Sequence, residues 1–172
     1  MYLPKEFDLT GRVAVVTGAG TGIGRATAIL LAKRGADTAI RGGRAEKIEE
    51  AAARIRETGR RALAVQTDVR KPEQCKALME AVAAEFGRID ILINNAGGAH
   101  GHVSLAKMDL AKWDRDVQLS LGAAMYCSQA ALPHLRASKG CIVNISSLAG
   151  VNGTAGVGAY SAGKAGLQMF TR

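Results

Sequence analysis

Residues 13–24 of this chain read VAVVTGAGTGIG, an apolar run that leads into a glycine-rich turn. Apolar residues at Ala26, Ile29 and Leu30 follow with helical spacing, so the stretch predicts a strand, a turn and a helix in succession. Such a turn suits an anion, because glycine has no side chain to keep a phosphate from the backbone and the first turn of a helix has unpaired N–H groups. A turn of this kind can also serve packing alone, and both interpretations stay open at this point.

The composition predicts one domain without a membrane or nucleic-acid partner. Of the 172 residues, 48% are hydrophobic, which is enough for a substantial core, yet no apolar run approaches the roughly 18 residues of a membrane span. The N-terminus lacks the pattern of a signal peptide, so we expect a cytoplasmic protein. The net charge is +8, but acidic residues interrupt the basic clusters and aromatic residues are few, which favours a small polyanionic ligand over nucleic acid.

The three cysteines indicate neither a disulfide framework nor a zinc site. Cys75, Cys127 and Cys141 are odd in number, far apart and outside any C-x-x-C pair, so we expect buried free thiols. His100 and His102 form an H-x-H pair after the fourth predicted strand, but no third metal ligand accompanies them. We therefore predict no metal site.

Short apolar runs alternate with helical patterns along the whole chain. The predicted strands are Val13–Val16, Thr38–Ile40, Ala62–Val65, Ile89–Ile93 and Cys141–Ile145. One long helix is predicted from Trp113 to Leu135, and the last helix from Gly158 to the end of the chain. Strands that alternate with helices and are apolar on both faces predict an α/β fold with a parallel sheet between two helical layers.

Polar or glycine-rich motifs follow each predicted strand. They are Gly18 to Gly24, Arg41 to Arg44, Asp68, Asn94 to Gly97, and Ser146-Ser147. Ligands of such sheets bind at the carboxyl ends of the strands, so these motifs are expected to surround one site.

Tyr160 and Lys164 are the strongest candidates for chemistry. Four positions apart on a helix, their side chains share one face. An ordinary phenol titrates near ~10, and a neighbouring ammonium favours the phenolate, which suits a general acid or base. Ser147, thirteen residues before the tyrosine, could hold a substrate oxygen or simply cap a turn.

Taken together, these motifs resemble the classical short-chain dehydrogenase/reductase family, of 3-oxoacyl-reductase-like type. The resemblance rests on Thr17-Gly18-x-x-x-Gly22-Ile23-Gly24, Asp68-Val69, Asn94-Asn95-Ala96-Gly97, Ser147 and Tyr160-x-x-x-Lys164. The glycine spacing supports it, because the commoner dinucleotide fingerprint G-x-G-x-x-G would require glycine in place of Ile23. The resemblance extends from about Leu9 to the end and implies a Rossmann-type doubly wound sheet with strand order 3-2-1-4-5.

The resemblance also implies a role for each motif in hydride transfer between a nicotinamide cofactor and a carbonyl or alcohol. It makes Tyr160 the acid or base, Lys164 its activator and a contact of the nicotinamide ribose, and Ser147 the hydrogen-bond partner of the substrate oxygen. The cofactor residues that it implies are Gly18, Thr21, Gly22, Ile23 and Gly24 at the pyrophosphate, Asp68 and Val69 at the adenine, and Asn94, Ala96 and Gly97 at the middle of the cofactor. A homodimer or homotetramer is implied through the long helix and the last helix.

The chain departs from the family at two places. The family usually has an asparagine seven residues after the tryptophan, where a water relay reaches the lysine; here that position is Ser120, which we keep as a fourth catalytic candidate. The family also continues beyond Arg172, so we expect residues 1–172 to be a single dinucleotide-binding and catalytic domain that is truncated at its C-terminus, with weak or no activity. A nucleotide-binding or scaffold protein without turnover is the alternative hypothesis.

The residues after the second strand predict NADP(H) in preference to NAD(H). Members that select NAD have an acid there for the ribose 2′-hydroxyl, whereas arginine suits a 2′-phosphate. The stretch Ile40-Arg41-Gly42-Gly43-Arg44 contains no acid, and Arg44 or Arg41 is the candidate contact for the phosphate.

Overall fold

A computed structural model describes residues 7–99 and 101–172. Its strands are β1 (Val13–Thr17), β2 (Asp37–Gly42), β3 (Ala62–Gln66), β4 (Ile91–Asn94) and β5 (Cys141–Asn144). Its helices are α1 (Gly22–Lys33), α2 (Ala45–Arg56), α3 (Pro72–Phe86), α4 (Leu110–Val117), α5 (Ala123–Ser138) and α6 (Gly158–Phe170). A π-helical segment, Gln118–Gly122, joins α4 to α5, and short 3₁₀ turns cover Leu105–Lys107 and Leu148–Gly150.

The five strands form one parallel sheet in the order β3-β2-β1-β4-β5. This arrangement confirms the predicted doubly wound Rossmann-type fold and its strand order. β1 lies in the middle and is buried along its whole length, with Val15 paired to Ala39 on one side and Leu92 on the other. The continuous apolar run of β1 is therefore the sequence signature of a strand that is covered on both faces.

Each face of the sheet carries its own hydrophobic cluster. Side chains of consecutive β1 residues point to opposite faces, so Val15 packs with α3 and α5 while Val16 packs with α1 and α2. The first cluster includes Leu78, Met79, Cys127 and Leu135, and the second includes Ala28, Ala51, Ile48 and Ile55. Together they produce the predicted three layers.

Several boundaries differ from those predicted by the sequence. β2 extends through Arg41 and Gly42, because these two residues pair with Val65 and Gln66 of β3. β4 begins at Ile91 instead of Ile89 and ends at Asn94. Within α1 the buried residues are Gly24, Ala28 and Ala32, whereas Leu30 is 53% exposed, since small residues let this helix approach the sheet closely.

The predicted long helix is interrupted. A π-helical turn over Gln118–Gly122 separates α4 from α5, with Ser120 at its centre. Such turns contain one residue more than a regular helical turn and are frequent at functional sites. None of the helices in the described ranges is both long and apolar enough to cross a membrane.

Candidate active site

The loops after β1 and β4 are joined by hydrogen bonds. The hydroxyl oxygen of Thr17 accepts from the backbone N–H groups of Asn95 and Ala96, both at 3.0 Å. In return the side-chain amide of Asn95 donates to the carbonyl oxygens of Thr17 at 2.9 Å and Gly18 at 3.2 Å. Asn95 thus fixes the glycine-rich turn. The sequence analysis quoted this residue within its motif but assigned it no role, although the repeated asparagine was the available signal.

The glycine-rich turn leaves the start of α1 open to an anion. Gly18 and Gly22 have φ angles of +68° and +56°, in the left-handed region that favours glycine. A Cβ atom at Gly24 would collide with the amide of Asn95 and the carbonyl of Gly18, whereas one at Gly22 would meet no atom of the described residues within 4 Å. The N-cap Thr21 makes no side-chain capping bond and the first turn of α1 has no acidic residue, so its N–H groups suit a phosphate.

A cleft of about 610 Å³ lies at the ends of β2 and β3. Its lining includes Arg41, Gly43, Gln66, Asp68, Arg70 and Gln74. Arg41 does not follow the strand as predicted: it lies within β2, only 6% exposed, and its guanidinium donates to the carbonyl of Thr67. Burial lowers the pKa of Arg41, and its Nε has no hydrogen-bond partner in the described part of the chain. Arg44 is exposed at the N-cap of α2.

Asp68 is held as an anion on the same cleft. Its carboxylate accepts from Nε of Arg70 at 2.9 Å and from Nη2 at 2.7 Å, and these bonds lower the pKa of Asp68 to about 2. Its backbone N–H donates to Oε1 of Gln74 at 2.7 Å. The next residue, Val69, is completely buried in the core, and its contact with the adenine stays a prediction.

Asn94 also lies deeper than predicted. It is 3% exposed, and its side-chain amide donates to Asn144 at 2.9 Å and to Ser128 at 3.0 Å. These contacts tie the end of β4 to β5 and α5. Asn94 therefore positions the loop that follows, while Ala96 and Gly97 of that loop are partly or fully exposed.

Lys164 lies at the centre of the catalytic candidates. Its ammonium is 2.5 Å from the carbonyl oxygen of Ile145, to which it donates, and 5.8 Å from the centre of the Tyr160 ring. A Cβ atom at Gly97 would lie 3.1 Å from the same Nζ, so the loop after β4 passes directly over it. Lys164 is 2% exposed, and this burial lowers its pKa. The ammonium thus lies among three elements that the sequence analysis placed at one site.

Ser147 begins the short turn Leu148–Gly150 as its N-cap. Its hydroxyl oxygen accepts from the backbone N–H of Ala149 at 3.2 Å, which is the capping role that the sequence analysis left open. Two residues without a predicted role support this segment: Ser146 donates its hydroxyl to the carbonyl of Lys164 at 3.3 Å and accepts from Gln168 at 2.9 Å. These bonds attach the end of β5 to α6.

Ser120 lies against α6 in the π-helical turn. A Cβ atom at Gly163 would lie 2.7 Å from the Cβ of Ser120, so the two helices touch one residue before Lys164. The serine is 1% exposed, and within residues 7–99 and 101–172 its hydroxyl has no hydrogen-bond partner. An unpaired buried hydroxyl is costly unless water or a ligand satisfies it, which keeps Ser120 a candidate for a water relay.

The described residues contain no group of three histidine, cysteine or acidic side chains that could hold a metal ion. His102 lies in the loop after β4, with its Nδ1 3.3 Å from the carbonyl oxygen of Ala155. His100, the other half of the H-x-H pair, lies outside the described residues. Of the three cysteines, Cys75 and Cys127 are buried as predicted, whereas Cys141 is exposed on β5.

A family model described as short chain dehydrogenase matches residues 12–172. The chain belongs to the short-chain dehydrogenase family. A similar dehydrogenase is the cis-4-hydroxycyclohexanecarboxylate dehydrogenase of Sinomonas cyclohexanicum, with 47% identity over 94% of this chain and 65% of the relative.

Solved structures of short-chain dehydrogenases have the same fold. One from Sinorhizobium meliloti 1021, provisionally assigned as a short-chain alcohol dehydrogenase, has a TM-score of 0.92 and 41% identity over 96% of this chain and 66% of that one. An NAD⁺-bound xylitol dehydrogenase has a TM-score of 0.91 and 32% identity over 95% of this chain and 63% of that one. The present chain thus spans about two thirds of the length of the short-chain dehydrogenases that it matches.

Proposed function

We propose that the protein is an NADP(H)-dependent oxidoreductase that interconverts a carbonyl compound and a secondary alcohol. The observation that carries the proposal is the buried ammonium of Lys164 beside the Tyr160 ring. This pair lies at the carboxyl ends of the strands, where the glycine-rich turn also lies. A buried charge is costly, and a binding protein has no need to maintain one next to a phenol. The membership in the short-chain dehydrogenase family supports the same reaction class.

The chain's own residues fit a dinucleotide at this edge. The open N-terminus of α1 suits the pyrophosphate, and the cleft with Arg41 and Arg70 suits the adenosine half. In this proposal Lys164 contacts the ribose next to the nicotinamide. The bound nicotinamide supplies or accepts the hydride at the substrate carbon.

Proton transfer in this proposal belongs to the protein. Tyr160 donates the proton of its hydroxyl to the substrate oxygen in reduction and removes it in oxidation. The hydroxyl of Ser147, whose oxygen already accepts from the backbone of Ala149, donates its hydrogen to the same substrate oxygen. The ammonium of Lys164 lies beside the Tyr160 ring, and Ser120 holds a water in the path that returns protons to Lys164.

NADP(H) is preferred over NAD(H) in this proposal because the adenosine cleft carries no acid at the end of β2 and directly after it. The positions there are Arg41, Gly42, Gly43 and Arg44, and a 2′-phosphate gains charge-assisted bonds from exposed arginine. Arg44 is the better candidate because it is exposed, whereas Arg41 is tethered to Thr67 and acts through its charge from the wall of the cleft. Membership in the family does not decide this point, as the NAD⁺-bound xylitol dehydrogenase illustrates.

We further propose a homodimer or homotetramer in the cytoplasm. Gly163 and Gly166 of α6 pack against Ser120 and Leu121 of the same chain, so this face of α6 is covered within one subunit. The exposed Met125 and Leu132 on α5 are the better candidates for the subunit contact. The proposed location in the cytoplasm is supported by the free buried thiols, because a reducing compartment keeps cysteines in the thiol form. Light scattering after size-exclusion chromatography tests the assembly, and a monomer at micromolar concentration would contradict it.

The oxidation of NADPH in the presence of a panel of ketones and 3-oxoacyl thioesters tests the proposed reaction. We expect turnover with at least one carbonyl compound and tighter binding of NADPH than of NADH, measured by fluorescence titration. Binding of NADPH without turnover of any substrate would instead support the second candidate, a nucleotide-binding protein. Absence of binding to either cofactor would contradict both.

A further inference from the structure

Two buried thiols meet between α3 and α5, beneath the adenosine cleft. Cys75 comes from the first turn of α3 and Cys127 from α5, 52 positions later, and their sulfur atoms are 3.6 Å apart. The thiol of Cys127 donates to the sulfur of Cys75, and both residues have no exposed surface. Cys141, the third cysteine, is exposed on β5 and does not belong to this pair.

The surroundings distinguish the two thiols. The hydrogen bond from Cys127 and the positive charge of Arg41 lower the pKa of Cys75, against the opposite effect of burial. The hydrogen bond to Cys75 and burial raise the pKa of Cys127. Arg41 is itself buried, with an Nε that has no hydrogen-bond partner among the described residues, and its positive charge acts on both thiols as well as on Asp68. Cys75 is therefore the better nucleophile of the two, since thiolates and not thiols react.

We propose that Cys75 and Cys127 form a reversible disulfide when the protein meets a peroxide, and that this bond weakens cofactor binding at the cleft above. The Cys75 thiolate attacks one peroxide oxygen, the O–O bond breaks and one molecule of water leaves, which gives a sulfenic acid. The Cys127 sulfur then attacks the sulfenic sulfur, the S–O bond breaks and a second water leaves. Two thiols and one peroxide thus give one disulfide and two waters, and a dithiol reductant reverses the change.

A hydrogen bond connects the thiol pair to the cleft. The thiol of Cys75 donates to the carbonyl oxygen of Val69 at 3.4 Å, and its neighbour Gln74 accepts from the backbone N–H of Asp68 at 2.7 Å. A disulfide has no thiol hydrogen, so oxidation removes the first of these bonds and draws Cys75 towards α5. The segment that carries Asp68 and lines the cleft then loses one of its hydrogen bonds to the start of α3. This consequence rests on the proposed binding of NADP(H), whereas the disulfide itself does not.

A thiol count tests the disulfide. In a Cys141→Ser variant the buried pair accounts for both remaining thiols, so intermolecular exchange through the exposed cysteine is absent. After hydrogen peroxide treatment of the folded protein and unfolding without reductant, we expect no titratable thiol, a mass lower by two hydrogen atoms and full recovery with dithiothreitol. The matched variant Cys127→Ala/Cys141→Ser should show no such loss of mass. Two titratable thiols in the oxidised Cys141→Ser protein, or oxygen added in place of hydrogen lost, would overturn the proposal.

A fluorescence titration with NADPH tests the coupling to the cleft. The loss of one buried hydrogen bond predicts a dissociation constant about 3- to 10-fold higher for the disulfide form than for the reduced form. Peroxide treatment should leave the dissociation constant of a Cys75→Ala/Cys141→Ser variant unchanged, because this variant lacks the thiol that peroxide oxidises first. Equal affinity of the oxidised and reduced Cys141→Ser proteins would overturn the coupling. If the reduced protein binds no NADPH, the proposed function fails, and the thiol count still decides whether the disulfide forms.

Discussion

Substitution by aspartate should have different effects at Gly42 and Gly43, the two residues after Arg41: it should lower the stability at Gly42 and weaken NADPH binding at Gly43. Gly42 is buried at the end of β2, and a Cβ atom there would lie 2.6 Å from Cγ2 of Ile48, in the first turn of α2. Gly43 is exposed on the cleft, and a Cβ atom there would meet nothing within 4 Å. An acid at this end of β2 is the feature that selects NAD(H). In this chain Gly43 can accept an acid, whereas Gly42 cannot.

The structure sets the size of both effects. Carbon atoms in good contact are roughly 3.5–4.0 Å apart, so Gly42→Asp must move Ile48 or β2 by about 1 Å. Overpacking of this kind costs about 1–3 kcal/mol, which corresponds to a Tm roughly 2–12 °C lower. In Gly43→Asp the packing is unchanged, but two unit charges 4 Å apart in water repel by about 1 kcal/mol and a phosphate carries nearly two charges. About 2 kcal/mol corresponds to a ~30-fold loss of NADPH affinity.

Thermal unfolding and fluorescence titration with both cofactors measure these effects side by side. We expect Gly43→Asp to keep the wild-type Tm, to bind NADPH ~30-fold more weakly and to keep its affinity for NADH. Gly43→Asn has nearly the same size without the charge and serves as the control. Unchanged NADPH affinity in Gly43→Asp, or a Gly42→Asp protein as stable as the wild type, would refute this account of the cleft.

Three further predictions concern single side chains. Lys164→Met should lower kcat by at least ~10²-fold. Burial lowers the pKa of Lys164 in the folded state, so between that lowered pKa and pH ~10.4 the unfolded state binds more protons than the folded state. The free energy of unfolding of the wild type should therefore rise with pH across this range. Denaturation measured at several pH values should show no such rise in Lys164→Met. Asp90→Asn should cost about 1.5–3 kcal/mol at pH 7, because its buried carboxylate accepts from two arginines and a backbone N–H. Burial opposes ionisation of Asp90, but these bonds outweigh it and lower the pKa of the carboxyl group. The contribution of Asp90 to stability is therefore present above pH ~3.9 and is lost as the pH falls through the lowered pKa. Urea denaturation of the wild type and Asp90→Asn across that pH range measures the size of the effect and its pH dependence. Ser120→Ala should lower kcat several-fold without lowering the Tm, because the hydroxyl it removes has no protein partner in the described part of the chain; a fall in Tm with unchanged kcat would show a purely structural role.

The parallel fold followed from the sequence because its signals are local. The run Val13–Val16 is apolar at every position, as expected of a strand covered on both faces, and the glycine spacing marked the turn. The alternation of such runs with helical patterns then left few possible topologies. The end of the sheet at which the motifs meet was predictable for this reason, whereas the order of the strands was implied by the family resemblance.

The details of the cleft depend on contacts between distant residues, which the sequence does not reveal. Arginine is a residue type that mostly lies on the surface, and only the pairing of Arg41 with β3 places it inside the sheet. The π-helical turn at Ser120 has the same apolar period as a regular helix over this short length. The meeting of Cys75 with Cys127 requires α3 to lie along α5, a contact that no local pattern indicates.

The kcat for the oxidation of NADPH, in the wild type and in Tyr160→Phe, tests the central claim most directly. Tyr126, half-buried on α5 and packed against the core, supplies the matched control Tyr126→Phe. We expect Tyr160→Phe to lose at least ~10²-fold in kcat while its dissociation constant for NADPH stays that of the wild type, and Tyr126→Phe to keep both. Equal kcat values for the wild type and Tyr160→Phe with a responsive carbonyl substrate would contradict the assignment of Tyr160 as the general acid and base.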